Sequence, residues 1–530
     1  MINRPNVWLK LFLLGALFVL AGCSIVSNPP RLTTTRTAPS GDPADVLFLP
    51  APTPTGDPIS VPDQNGDLLG QGVNPVLTVW VNETSTEHRL ILEDMVDVLD
   101  AEYGLHMEFV LVDESRLVEL VEGAAAVGRL PDVIIHPIEY SAGWAERGIL
   151  DADLSQNIIN QLGAETFSPA VIDVGLVGEN KPAIPIDGYK QLILYRDDWF
   201  EELNLSAPTD YRSILQGANA IYRSETLSAQ NGISSTLLSG LVVPTESELI
   251  STHQVFEHFA NANNCQLVAE TGEVVILTPE CMDAYEFYRE LINNYSPSDV
   301  QTDTSAINAY LAGRTGMIFG SPDILLPIAG LSPDLTPSCP ECTDTLDYLA
   351  QNSSIQTGLS GRSRQREPTE FGNITQMGFS LGTRPELAAS FAEYWFNDGY
   401  ALWLGVEPAR RVPMRLGDAE DSEKFYNLWY TLPVEAGGRT LTDIYGRELT
   451  EQLGQGVSPR ARWGIASGQG DIIASIYEKN IIAIVLQEML SGYFSSSQAI
   501  VATWERVIEQ IPTYPFETEI PNFIPSNDSG

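Results

Sequence analysis

A chain of 530 residues exceeds one typical domain, so two or more lobes are expected, each able to bury its own core. Its 70 acidic against 29 basic residues give a formal net charge of −41, which argues against nucleic acid or an anionic membrane surface as a partner of the folded body. Aromatic and aliphatic residues are well spread through the middle of the chain, which sets aside a disordered acidic protein.

Arg4 and Lys10 precede an apolar run from Leu11 to Leu20 that is short for a bilayer span but suits a signal-peptide core, so residues 1–22 read as a removable leader. Leu20-Ala21-Gly22-Cys23 then resembles a lipobox, in which Cys23 would carry diacylglycerol and hold the mature chain at the cell membrane, outside the cytoplasm. An uncleaved anchor would give the same compartment. Residues 23–75 are rich in Pro, Thr, Ser, Gly and Asp and read as a tether.

Val76 to Val81 reads as a first strand, and Thr84-Ser85-Thr86-Glu87 has the spacing of a capping box that opens a helix. Ile91, Met95, Val98 and Leu99 mark its expected buried face, and Gly104 its end. A strand over Met107 to Val112 and a helix around Leu117, Leu120, Val121 and Ala124 follow. Asp132 to Ile135, between Pro131 and Pro137, reads as a buried third strand whose carboxyl end opens at His136, Pro137 and Tyr140. This βαβαβ alternation implies a parallel sheet with helices on both faces, and ligands of such sheets sit at the carboxyl ends of the strands.

Leu130-Pro131-Asp132-Val133, followed by Trp144-Ala145-Glu146-Arg147-Gly148-Ile149-Leu150-Asp151 and Asp153-Leu154, resembles the sugar-binding solute-binding lipoproteins of ABC importers, the maltose-binding-protein-like family. Further stretches carry the same resemblance. Lys181 to Tyr189, leading into Tyr195 and Asp197-Asp198-Trp199-Phe200, is similar to the family's first crossing between lobes, which puts a hinge near residues 185 to 196. Gly313-Arg314-Thr315-Gly316-Met317, a short strand and the turn Gly320-Ser321-Pro322-Asp323 match another of its segments. Gly378 to Leu381 with Thr383 to Ala388 resembles the return crossing, and Val412-Pro413-Met414-Arg415 and Leu486 to Gly492 resemble the closing segments. Residues 324–370 depart from the pattern as a turn-rich insertion holding Cys339, Cys342 and the basic trio Arg362, Arg364 and Arg366.

The resemblance implies an α/β fold of two lobes, periplasmic-binding-protein-like (type II), joined by a multi-strand hinge. Lobe 1 would comprise residues 76–188 with about 377–406, and lobe 2 residues 189–376 with about 407–520. It implies a non-enzyme without cofactor, expected as a monomer, that captures a carbohydrate and passes it to ABC permease subunits. An exported polysaccharide-acting enzyme and a binding module feeding a sensor or surface assembly are the alternatives.

Sugar rings stack their C–H faces on aromatics and direct hydroxyls to carboxylates, amides and hydroxyls. Trp80, Tyr140, Tyr189 and Trp403 are the candidate stacking residues, and Asn82, Glu83, Asp187, Ser321 and Asp323 the candidate polar partners. Glu83 with Asp187 is the acid/base pair that the enzyme alternative would use. The five histidines are scattered and no Walker loop, Gly-x-Ser-x-Gly elbow or dinucleotide fingerprint stands in strand-to-helix context, so no metal site is expected. Outside the cytoplasm, Cys265 with Cys281 and Cys339 with Cys342 are expected to form disulfides. The Cys-x-x-Cys also fits half a zinc site or a redox centre, but nothing in the sequence supplies zinc's remaining ligands.

Overall fold

The computed structural model describes residues 76–362 and 368–516. The leader, Cys23, the tether, Arg364, Arg366 and residues 517–520 of the expected second lobe lie outside the described residues. The strands, in chain order, are β1 (Val76–Val81), β2 (His106–Leu111), β3 (Val133–Pro137), β4 (Ile184–Lys190) and β5 (Leu192–Arg196). They continue with β6 (Ser239–Val242), β7 (Thr315–Gly320), β8 (Ser353–Gln356), β9 (Gly372–Phe379) and β10 (Val412–Pro413).

Two sheets result. The first has the order β10-β4-β9-β3-β1-β2 and the second the order β6-β7-β5-β8. In the first, β1 lies parallel between β2 and β3, and β9, β4 and β10 extend the far side antiparallel. β3 is central, which is why Val133, Ile134 and Ile135 are all buried rather than alternating, whereas β1 alternates, with Leu77, Val79 and Val81 inward.

The first helix, Thr86–Val98, is capped by Ser85, whose side chain accepts the His88 N–H, one residue beyond the expected start. Its buried stripe is His88, Leu92, Met95 and Leu99, while Ile91 and Val98 lie half-buried at the edge. The shift has a physical reason: His88 finds polar partners inside and enters the core that its polarity would otherwise deny it. Gly104, at φ 62°, ends the segment as expected.

The chain passes from β4 in the first sheet to β5 in the second through Gln191, whose N–H donates to the Phe371 carbonyl at 2.9 Å, so the outward and return crossings lie side by side. Gly372 opens the return, and a Cβ there would stand 2.4 Å from the Ser458 carbonyl oxygen. Two of the expected boundaries need correction. β10 belongs to the first sheet, so the chain is still in the first lobe at Pro413, beyond the expected change at residue 407. β8, inside the stretch 324–370, forms an edge of the second sheet and is therefore part of the lobe's framework.

The C-terminal helices tie the halves together. Ser496–Ile508 and Ile481–Leu490 pack with Pro279–Tyr295 on the second lobe, while Gly470–Glu478 lies against Ile138–Glu146 of the first. There Gly143 permits close approach, since a Cβ would fall 2.5 Å from that of Ala474. Disulfides join Cys265 to Cys281 and Cys339 to Cys342, as the compartment argument expects. Among the described residues no helix is long and apolar enough to cross a membrane.

Candidate binding cleft

The carboxyl ends of β1 and β3 and the end of β7 face one another across a cavity of about 240 Å³, floored by β4, β9 and Gln191. Asn82, Glu83, Glu114, His136 and Glu139 line it from the first lobe, and Ser251, Gln254, Asp303, Ser321 and Asp323 from the second. Tyr189 and Asn373 rise from the floor, and Arg410 reaches in from the segment before β10.

Behind the first wall stands a buried ionic group. Asp187, fully buried, accepts from Thr375 Oγ1 at 2.8 Å, from Trp403 Nε1 at 2.6 Å and from Arg411 Nη1 at 3.2 Å. The Arg411 guanidinium lies 4.1 Å over the Trp403 ring and also donates to Glu83 Oε1 and, at 2.6 Å, to His88 Nε2. His88 Nε2 is thus an acceptor, which leaves its proton on Nδ1, 2.6 Å from Ser85 Oγ. Burial, reinforced by Arg411, pushes His88 down to about 3 and keeps it neutral. For Glu83 burial works against the charge, but Arg411, Arg410 and His88 overcome it and hold the carboxyl at about 2.

A second buried group crosses the base of the cleft. Arg462, 3% exposed, donates to Glu139 Oε1 at 2.7 Å, to Asn373 Oδ1 at 2.9 Å, to Glu257 Oε1 at 3.2 Å and to the Tyr477 hydroxyl at 2.7 Å. The Tyr477 hydroxyl in turn donates to Glu257 Oε2 at 2.6 Å. Gln254 Nε2 reaches Glu139 at 2.7 Å, and Asn373 Nδ2 donates to the Tyr189 hydroxyl at 2.8 Å. First-lobe Glu139, second-lobe Gln254 and Glu257, and the crossing strand β9 are therefore held by one guanidinium. Burial raises the Glu257 carboxyl, and Arg462, Tyr477 and the Trp463 N–H oppose the rise.

The cavity surface itself is less tightly bonded. Arg410 lies 3.9 Å from each of Glu83, Asp323 and Glu407, and 5.7 Å above the Tyr189 ring. Glu114 keeps contact with the water of the cleft, yet the protein crowding around it, with Glu139, Asp303 and Glu83 adding their charges against Arg410, pushes its carboxyl up to about 7. Asp303, exposed to solvent like Glu114, is also raised by the protein packed around it, despite accepting from Ser251 Oγ at 2.7 Å.

Of the residues expected from sequence, Asn82, Glu83, Tyr189, Ser321 and Asp323 line the cavity. Trp80, Tyr140, Asp187 and Trp403 do not. Trp80 packs half-buried against the core, and Tyr140, 2% exposed, stacks on Trp144 at 5.0 Å. Trp403 is fully buried, its indole N–H and face both used by Asp187 and Arg411. Asp187 is fully buried with both carboxylate oxygens hydrogen-bonded inside, so it positions Arg411 instead. Nor do Glu83 and Asp187 make an acid/base pair, because the first is firmly ionised and the second is enclosed. Glu83, His88 and Glu407 bring ligand atoms within 4.8 Å of one another, but Arg411 already supplies the positive charge at Glu83 and His88.

Glu114, Glu139, Gln254, Asp303, Asn373 and Arg410 were not singled out by sequence reasoning. Glu114 and Asp303 had a usable signal, since each opens a helix and Glu114 follows a parallel strand directly. Arg410 had none.

Two lobes with a cleft between them, crossed by side-by-side connections and walled by strand ends of both sheets, define the fold class of ABC-transporter solute-binding proteins. The solved structures agree. The chain resembles an ABC transporter solute-binding protein from Thermotoga lettingae TMO bound with α-D-tagatose, with a TM-score of 0.60 and 18% identity over 82% of this chain and 99% of that one. It also resembles one from Agrobacterium radiobacter K84 in complex with ribitol, at a TM-score of 0.59 and 13% identity over 82% of this chain and 98% of that one. In sequence it is similar to YcjN of Escherichia coli (strain K12), named as an ABC transporter periplasmic-binding protein, with 24% identity over 318 residues, 59% of this chain. That match spans 66% of YcjN. No family model matches the chain.

Proposed function

We propose that this protein is an extracytoplasmic solute-binding protein that captures a carbohydrate or polyol in the cleft between its lobes and delivers it to an ABC importer. One observation carries the reading: amide, phenol, carboxylate and guanidinium groups from both lobes converge on one cavity at the strand ends, with Tyr189 and Glu139 backed by hydrogen bonds from Asn373 and Arg462. Such a set matches a polyhydroxylated solute, and a ligand touching both walls favours closure about the crossings at Gln191 and Phe371. The similar proteins are solute-binding proteins whose complexes hold a ketose and a sugar alcohol, and they support the same reading. Tyr189, Asn82, Glu83, Asn373, Ser321, Asp323 and Arg410 are the proposed contacts.

The test is a thermal-shift screen of the protein against mono- and oligosaccharides and sugar alcohols, followed by calorimetry. A ligand at a hundred times its Kd adds about 2.7 kcal/mol of stability, readily seen as a rise in Tm. Absence of any shift across such a library would refute the reading. Lipid anchoring at Cys23 completes the proposal; Cys23→Ser should release the protein from membranes, and unchanged fractionation and processed mass would remove the anchor from it.

A further inference from the structure

The charges around the cleft do not balance. Eight carboxylates, those of Glu83, Glu114, Glu139, Asp187, Glu257, Asp303, Asp323 and Glu407, meet three guanidiniums. Arg411 serves Glu83 and Asp187, Arg462 serves Glu139 and Glu257, and Arg410 is shared at 3.9 Å among Glu83, Asp323 and Glu407. No arginine or lysine pairs with Glu114 or Asp303 among the described residues.

A second observation points to a ligand independently of that charge. Gln191, 2% exposed and lining the cavity, has no hydrogen-bond partner for its side-chain carbonyl oxygen, Oε1, among the described residues. Asp323 Oδ1 is likewise enclosed and unpaired, Ser321 having taken only Oδ2. Leaving such groups unsatisfied is costly, so their partner is expected to arrive from outside. Tyr189 is the one phenyl ring among the lining residues and His136, the other aromatic there, is fully buried, so stacking contributes less to recognition here than polar and ionic contact.

We propose that the ligand is a cation, a polyhydroxylated ring or chain bearing a protonated primary amine, such as an amino sugar or amino polyol, whose ammonium is taken by Glu114 and Asp303. This rests on the reading of the cleft as a carbohydrate site. The two carboxylates come from opposite lobes, at the N-terminal turns of the helices Glu114–Ala126 and Asp303–Leu311. Like charges on opposite lobes oppose closure unless a cation lies between them. An ammonium offers three donors and one positive charge, so it joins both walls at once. Gln191, Asp323 and the Tyr189 hydroxyl then take the remaining hydroxyls.

The experiment is titration calorimetry at pH 7 with matched pairs: glucosamine against glucose, galactosamine against galactose, and glucosamine oligomers against cello-oligosaccharides, with N-acetylglucosamine as an uncharged amide control. At least one amine should bind about ten to a hundred times more tightly than its neutral partner, the range of a charge-assisted hydrogen bond. Glu114→Gln and Asp303→Asn should each lower the amine's affinity more than the neutral partner's and so remove most of that preference, with the circular dichroism unchanged. Equal or tighter binding of the neutral sugars would overturn the amine inference and leave the carbohydrate reading standing. Binding by neither series would overturn both. Stabilisation by calcium or magnesium chloride alone, lost in the same variants, would overturn the amine in favour of a metal ion.

Discussion

Replacing Arg462 with Met keeps much of the side-chain volume and its packing on Phe371, whose ring lies 4.4 Å from the guanidinium, but removes four hydrogen bonds at once. Glu139 would keep only the Gln254 amide, and Glu257 the Trp463 N–H and the Tyr477 hydroxyl. Both carboxylates would then be buried without a counter-charge, a loss that costs about 3–5 kcal/mol for a pair broken from one side. Urea unfolding followed by tryptophan fluorescence measures it, with equal slopes required for the comparison. Adding Glu257→Gln to Arg462→Met should recover part of the loss, because one of the stranded charges is gone. A loss below about 1 kcal/mol in the single variant, the scale of an exposed pair, would refute the view that this guanidinium fastens the base of the cleft.

Asp187→Ala should destabilise the fold by about 3–5 kcal/mol, because Arg411 and the Trp403 indole lose a buried acceptor; an unchanged unfolding midpoint with weakened ligand binding would instead make Asp187 a direct contact. Removing the Cys265–Cys281 bridge, a sequence separation of 16, should cost about 3 kcal/mol, and removing Cys339–Cys342, a separation of 3, measurably less; calorimetric scans of the two Ser/Ser variants rank them. The acid limb of stability follows from buried groups with lowered values. His136 and His258 titrate at about 4 and His88 at about 3 in the fold, against 6.5 when unfolded, and His253 is also lowered, so each favours the unfolded state as pH falls below 6.5. Glu114 and Glu407, raised to about 7 from 4.5, act in the opposite sense, as do the raised Glu257, Asp303 and Glu478, so the two sets oppose each other down to pH 4.5. Below 4.5 that offset ends and Glu83, held at about 2, joins the histidines. Urea midpoints should therefore change little from pH 6.5 to 4.5 and fall steeply below, by about 1.4 kcal/mol per pH unit for each proton taken up on unfolding; a constant midpoint down to pH 3.5 would contradict the buried-histidine account.

The skeleton of the fold was legible because it rests on local pattern. β1, β2 and β3 and the helices between them follow from apolar runs, a cap at Ser85 and a stop at Gly104, and the first crossing follows from the proline-bracketed segment into Tyr195. The cleft was legible only in part. Strand-end logic found Asn82, Glu83, Ser321 and Asp323, and Tyr189 came from the crossing. It also selected Asp187, two residues before Tyr189 in β4, which a period of two places on the same face. What separates them is tertiary: Trp403 and Arg411, 216 and 224 residues further on, cover Asp187 and leave Tyr189 open. Likewise Arg462 meets Glu139 across 323 residues, a pairing that no local pattern announces.

The adjacent arginines before β10 explain how the cleft is both fixed and adaptable. Arg411 turns inward, 1% exposed, and is pinned by Asp187, Glu83, His88 and the Trp403 face. Its neighbour Arg410 emerges into the cavity between carboxylates of both lobes. The segment that presents them contains Glu407 at φ 56°, a left-handed conformation costing a residue with a side chain about 1–3 kcal/mol. Binding free energy is then not spent on ordering Arg411, Glu83 or the floor, since buried bonds order them before a ligand arrives. Glu114 and Asp303 stand apart from this scaffold at helix N-termini on opposite lobes, and their charges repel. A ligand gains little by touching the rigid wall alone; the contact that changes most on closure is the one that reconciles those two carboxylates. Discrimination between ligands is therefore expected to reside at the pair that the buried networks leave free.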